Sequence, residues 1–305
     1  MIQIPENFFK AETRLDFEIT ETMKRAWAIQ LTLLEQVLEI ADRHDIKIWL
    51  DYGSLLGAVR HKGYIPWDDD IDVSLMRSDY MRLIFILEKE LPKYCRVRSL
   101  YTTPDYDQPK AFISNRDKID LGDEKEITDI YYGLPYIAGI DLYPLDFVPR
   151  YPEQWELIRH IYNAVYDLAQ RYEKYEQKGE LEGYLVQIEE LLNVKIQRDS
   201  HIKNSLWKLA DSICQITTDE ESDQVVWYPD VSMRTTEMRR SKSAYSETIM
   251  TDFEMLKVPI PKGYDEILCL CYYKNYMTPM NTGSAHGYPF YKVQQDYLDR
   301  MKSIH

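Results

Sequence analysis

Residues 50–73 read Leu50-Asp51-Tyr52-Gly53-Ser54-Leu55-Leu56-Gly57-Ala58-Val59-Arg60-His61-Lys62-Gly63-Tyr64-Ile65-Pro66-Trp67-Asp68-Asp69-Asp70-Ile71-Asp72-Val73. The run Ile71–Leu75 reads as a strand, on which side chains two apart share a face. Asp70 and Asp72 therefore point together, while Ile71 and Val73 face a core. Two carboxylates side by side repel, and a divalent cation between them lets both stay ionised. Hard oxygen ligands select magnesium or manganese. Asp68 and Asp69 fit a solvated acidic turn. Upstream, Gly53-Ser54 breaks the strand-like run Ile46–Leu50, and a short helix is expected over Leu55–Arg60. Free N–H groups and the helix dipole at such a turn favour a phosphate. Gly53 admits close approach of the backbone, and the Ser54 hydroxyl can donate to a phosphate oxygen. Arg60, His61 and Lys62 follow and are candidates to steady a diphosphate; a solvated basic loop is the plain alternative.

Asp-x-Asp occurs in other enzyme classes. A haloacid-dehalogenase-type phosphatase has its first Asp at the end of an apolar strand, but Trp67-Asp68-Asp69 precedes Asp70 here. A nucleotide-sugar glycosyltransferase has a long nucleotide-binding α/β half ahead of the motif, whereas the early part of this chain has a helical pattern. Neither uses a Gly-Ser turn.

The wider composition fits a folded protein: 305 residues, 45% hydrophobic and 29% charged. A formal net charge of −14 argues against a nucleic-acid scaffold binder, without excluding a mononucleotide whose metal reverses the local sign. Cys95, Cys214, Cys269 and Cys271 lack the spacing of a zinc site or a disulfide framework and read as free thiols. No apolar run reaches membrane-spanning length and residues 1–10 do not resemble a signal peptide, so the expected location is cytoplasmic.

Periodicity predicts an opening helix with Trp27, Leu31, Leu34, Leu38 and Ala41 on one face, ending near His44. A helix capped by Ser78 should run to about Leu91, with strands at Arg96–Leu100, Ala111–Ser114 and Gly139–Tyr143. Three helical stripes follow from Pro152, then a strand-like Thr248–Lys257 and a helix over Tyr264–Tyr276. The fold class expected is α+β, a mixed-sheet core over 1–150 with its N-terminal helix, followed by a helical region and tail over 151–305 that completes the site. Asn115-Arg116-Asp117, after an apolar strand, makes Arg116 a candidate phosphate or nucleotide contact. His286, in Gly283-Ser284-Ala285-His286-Gly287, is a candidate to close over the site. Trp67 and Tyr64 are the aromatics nearest the motif that could cage a quaternary ammonium.

The string from Gly53 to Val73 resembles the signature of the LicD family of phosphocholine transferases, related to fukutin-type ribitol-phosphate transferases. Ile140-Asp141-Leu142-Tyr143-Pro144-Leu145-Asp146 resembles the family's second block, and Val258-Pro259 through Tyr276-Met277 its C-terminal block more loosely. The resemblance implies a nucleotidyltransferase fold with Asp70 and Asp72 on the metal and Asp141 as the third carboxylate, Asp146 being its competitor. The Gly-Ser to Asp spacing is slightly long for the superfold, which leaves Asp68 as a further metal ligand or a supporting residue. The implied reaction moves a phospho-alcohol, phosphocholine foremost, from a CDP-activated donor. The acceptor is a hydroxyl of a cell-surface glycan such as lipopolysaccharide or teichoic acid, or of a lipid-linked sugar precursor; CMP leaves, and the enzyme works at most peripherally at the membrane. The same carboxylates would serve placement of a nucleoside monophosphate on a small acceptor with release of pyrophosphate. A non-catalytic nucleotide-binding module is the third reading.

Overall fold

The computed structural model describes residues 2–233, 238–281 and 287–304. The chain opens with a hairpin, β1 (Glu12–Arg14) antiparallel to β2 (Phe17–Ile19). Leu15 and Asp16 both take positive φ, 50° and 59°, as a two-residue hairpin turn requires. Thr20 caps the next helix, α1 (Glu21–Arg43), its hydroxyl accepting from the Met23 N–H at 3.2 Å. The expected stripe of α1 is present, yet burial wraps most of its circumference: Ala28, Ile29 and Leu33 are as inaccessible as Trp27 and Leu31. Each large apolar side chain so buried contributes about 1.5–3 kcal/mol. Polar residues caught in this helix, Lys24 and Gln30, are therefore obliged to find partners.

The strands β3 (Trp49–Leu50) and β4 (Asp72–Met76) flank α2 (Tyr52–Arg60). The helix begins three residues earlier than the sequence suggests, so Gly53 and Ser54 form its first turn rather than a break before it. Strand β4 likewise starts at Asp72, which leaves Asp70 in the preceding loop and not on the strand. Next come α3 (Arg77–Glu90), β5 (Arg96–Arg98), β6 (Ala111–Ser114), α4 (Lys125–Ile130) and the long β7 (Gly139–Val148). Ser78 does not cap α3; the helix starts at Arg77 after Met76, with no side-chain cap. The helices α5 (Pro152–Gln170), α6 (Tyr172–Gln177), α7 (Leu181–Leu192) and α8 (Ile202–Cys214) follow, with Pro152 in the first turn of α5 as expected. After them lie β8 (Gln224–Val226), α9 (Tyr228–Met233), β9 (Arg240–Ser241), β10 (Thr248–Phe253), β11 (Leu256–Pro261), α10 (Tyr264–Tyr272) and α11 (Lys292–Ile304). The tail read as one strand is thus a hairpin, because Glu254 at φ 52° turns the chain. The helix expected to reach Tyr276 ends at Tyr272, where Tyr273 takes φ 67°.

The chain is α+β, with a mixed sheet, and packs as two compact units. One comprises Met1–Val97, Phe112–Leu142 and Glu247–His305; the other comprises Arg98–Ala111 and Tyr143–Ser246. In the first unit the sheet runs β3-β4-β7-β6-β5. The second is built on the far half of β7 with β8 and β9, and on a helical core around Trp155, Tyr162, Leu206 and Trp207. Among the described residues no helix is long and apolar enough to cross a membrane.

Candidate active site

The sheet register brings the acids together. Strands β3 and β4 pair antiparallel, Leu50 opposite Val73, and the ladder continues as the Asp51 N–H donates to the Asp72 carbonyl at 2.9 Å. Directly opposed residues of an antiparallel pair share a face, so Asp51 and Asp72 sit side by side. On the other flank the Asp141 N–H donates to the Ile71 carbonyl at 2.9 Å, which brings the start of β7 alongside the head of β4. Asp146, the competitor, lies opposite Val226 and is 2% exposed. The Ser54 hydroxyl oxygen accepts from the Asp72 N–H at 2.9 Å, tying the first turn of α2 to the head of β4. Asp51 caps α2 through its carboxylate, which accepts from the Tyr52 N–H at 2.8 Å. Tyr52 itself is held at φ 43°, a strained conformation of the kind that clusters at functional sites.

The acidic loop is not a solvated turn. Asp69 is fully buried, and its Oδ2 accepts from the Phe290 N–H at 2.6 Å. The loop's carbonyls are bound by side chains of α1. Trp27 Nε1–H donates to the Asp68 carbonyl at 3.1 Å and Gln30 Nε2–H to the Asp69 carbonyl at 2.7 Å. Tyr64 secures that pair: its ring stacks on Trp27 at 4.3 Å, and its hydroxyl donates to Gln30 Oε1 at 3.0 Å. Burial, then Glu254 and the loop aspartates, push the Tyr64 phenol well above its ordinary range, so it stays a donor. A ring only 2% exposed braces the loop and offers no face to a ligand. Asp68 lies over Gly53, where a Cβ would meet its Oδ2 at 2.4 Å. One carboxylate oxygen from each of Asp68, Asp69 and Asp70 lies within 4.8 Å of the others. Such crowding of hard, like-charged donors suits a divalent cation.

The basic trio divides its work. Arg60 donates through Nη1 to the Tyr276 carbonyl at 2.6 Å and through Nε to His61 Nδ1 at 3.3 Å. That bond leaves the ring proton of a neutral His61 on Nε2, a buried nitrogen with no hydrogen-bond partner among the described residues. Burial first, then the charges of Arg60 and Arg14, lower the His61 pKa to about 4, so the imidazole is neutral at pH 7. Lys62 is exposed and donates to Thr251 Oγ1 at 3.2 Å. Arg116 is not at this site: it is 1% exposed and donates to Thr128 Oγ1 at 2.9 Å and to the Pro135 carbonyl at 3.4 Å. Its charge is matched locally by Asp120 and Glu124, both 3.9 Å away. His286 lies outside the described residues.

Trp67 is half-buried and edge-on to Phe17 at 6.2 Å, and Phe17 is edge-on to Tyr288 at 5.5 Å. Three participants escaped the sequence reading. Asp51 had a local signal, an acid directly ahead of a helix start. Tyr272 had none. Its half-buried phenol is raised well above its ordinary range by burial, then by Cys271 and the carboxylates of Asp68, Asp72 and Asp51. Glu254, distant in sequence, accepts from the Tyr64 N–H at 3.2 Å.

Residues 45–121 match the model of the LicD/FKTN/FKRP nucleotidyltransferase domain, a match that ends before the Ile140–Asp146 and Val258–Tyr276 blocks. The chain is 39% identical over 69 residues to the lipopolysaccharide cholinephosphotransferase LicD of Haemophilus influenzae, 23% of this chain and 26% of that protein. It is 32% identical over 117 residues to an uncharacterised protein of Rickettsia typhi, covering 37% and 36% of the two chains. Over 43 residues it is 42% identical to the human ribitol 5-phosphate transferase FKRP, 14% of this chain and 9% of that one. The likeness to these relatives thus spans at most about a third of their length. The Gly-Ser turn, the acidic loop and the head of β4 all fall inside residues 45–121, the stretch that is similar to the LicD/FKTN/FKRP nucleotidyltransferase domain.

Proposed function

We propose that this protein transfers a phospho-alcohol, phosphocholine foremost, from a CDP-activated donor to a hydroxyl of a cell-surface glycan or its lipid-linked precursor. The observation that carries the reading is the packing of the acidic loop on the first turn of α2, with Asp68 over Gly53 and Asp72 bonded to Ser54. A centre that combines clustered carboxylates with the N–H groups of a helix start handles a phosphate only with a cation present. Asp70, Asp72 and Asp141 would hold magnesium or manganese, with Asp68 beside them; when bound, the ion would neutralise the diphosphate and acidify the incoming hydroxyl.

The chain's own groups have separable tasks. The first turn of α2 binds a phosphate oxygen, and the neutral His61 donates from Nε2 to the diphosphate. The acceptor hydroxyl attacks the phosphorus that bears the alcohol, the bond from that phosphorus to the CMP oxygen breaks, and CMP departs. Asp141, partly exposed near the start of β7, accepts the hydroxyl proton. Phosphoryl transfer demands in-line positioning and charge neutralisation more than covalent help, which suits a site braced by α1.

The test is CMP release from CDP-choline, CDP-ribitol and CDP-glycerol, with magnesium or manganese and a panel of glycan acceptors, for the native protein and Asp72→Asn. Metal-dependent CMP from one donor, lost in the variant, is the expected result. Silence with every CDP donor, together with pyrophosphate release from CTP or ATP, would replace this reading with nucleotidyl transfer.

A further inference from the structure

Between α2 and the acidic loop, the stretch Lys62–Tyr64 is gripped by a residue some 190 positions away. Glu254 stands at the turn of the β10–β11 hairpin; its N–H donates to the Lys62 carbonyl at 2.7 Å, and its Oε1 accepts from the Tyr64 N–H at 3.2 Å. Arg14 holds the same carboxylate, Nη1 to Oε1 at 2.8 Å and Nη2 to Oε2 at 3.4 Å. Gly63 leaves the room, since a Cβ there would lie 2.3 Å from Glu254 Oε1. On β1, Glu12 ties Arg14 at 2.8 Å to the buried ammonium of Lys24. The outer side of this network borders a cavity of about 370 Å³ lined in part by Phe8, Glu12, Arg14 and Lys24. Inward, the residue that Glu254 bonds is Tyr64, the one that stacks on Trp27 and bonds Gln30. Trp27 and Gln30 in turn hold the carbonyls of Asp68 and Asp69.

We propose that Glu254 is a positioning residue for the acidic cluster: clamped by Arg14, it fixes Lys62–Tyr64 and so sets the aspartates against the first turn of α2. The inference rests on the reading of those aspartates as the metal and phosphate centre. Glu254 acts through Lys62 and Tyr64. A side chain that touched nothing but packing would not need a guanidinium bound through two nitrogens and a missing Cβ to reach one backbone N–H. The arrangement also joins three segments remote in sequence, the N-terminal hairpin, the motif loop and the C-terminal hairpin, at one carboxylate.

The test compares the native protein with Glu254→Ala, Glu254→Gln and Asp72→Asn. The readouts are Mn²⁺ affinity by electron paramagnetic resonance titration, amide exchange of residues 62–70, and CMP release. In Glu254→Ala, exchange over 62–70 is expected to rise, Mn²⁺ affinity to fall about 10- to 100-fold, and kcat to fall with it while the donor KM holds. Glu254→Gln keeps an oxygen for the Tyr64 N–H and should recover most of this. If Glu254→Ala does not fold, Arg14→Ala loosens the same carboxylate from outside and should move the readouts the same way. Unchanged exchange over 62–70, or faster exchange with Mn²⁺ affinity intact, would overturn the proposal. If Asp72→Asn also bound Mn²⁺ normally, the fault would lie in the reading of the aspartates, and the exchange of 62–70 would still decide whether Glu254 holds the loop.

Discussion

Gly53→Ala is expected to separate activity from stability. The backbone of Gly53 is helical and not at positive φ, so alanine is tolerated conformationally. Replacing a helical glycine in this way stabilises by about 0.4–1 kcal/mol, or about 2 °C in melting temperature for a chain of this size. The new Cβ, however, would stand 2.4 Å from Asp68 Oδ2, against 3.4 Å for the near edge of ordinary contact. The carboxylate must retreat by the difference, about 1 Å. A misplacement of that size in a reacting centre costs about 10²-fold in turnover, equivalent to about 2.7 kcal/mol of transition-state stabilisation. The assay pairs thermal melting with CMP release and Mn²⁺ titration on the same preparation. Turnover and metal affinity within threefold of the native protein would refute the reasoning, because Asp68 would then have no part in the centre. A large fall in melting temperature would refute it differently, by showing that the strain spreads into the fold.

The remaining expectations are more local. Ser54→Ala removes the acceptor of the buried Asp72 N–H, and unfolding in urea should show a loss of about 1–3 kcal/mol together with reduced CMP release. Arg116→Leu should lower the melting temperature, by about 3 kcal/mol of stability for a broken buried ion pair, and leave kcat and donor KM per folded molecule unchanged; a specific rise in donor KM would return Arg116 to the nucleotide site. His61 is neutral in the folded protein, with its pKa lowered to about 4 from an ordinary 6.5. The unfolded chain therefore binds the extra proton first. The stability contributed by neutral His61 is complete above pH 6.5 and declines as pH falls toward 4, so His61→Gln should flatten the melting-temperature profile across that window.

Much of this protein is legible in residues 50–73 alone. Helix α1, the strand after the acids, the glycine and serine at the helix start and the crowding of carboxylates in the acidic run follow from period, glycine placement and composition, all properties of neighbours in sequence. Other matters were settled by contacts that sequence order does not encode. Asp69 and Tyr64 read as turn and cage residues but became buried braces, because α1 lies across them with Trp27 and Gln30. Arg116 looked free to bind phosphate until the fold surrounded it with Thr128, Asp120 and Glu124. Asp51 and Asp141 are brought to the head of β4 by backbone pairing among β3, β4 and β7 across some ninety residues of chain. Glu254 and Tyr272 reach the centre from the far end of the sequence. Local chemistry names the groups able to hold a phosphate and a metal, whereas burial and long-range hydrogen bonding decide which of them face the centre and which hold it in place.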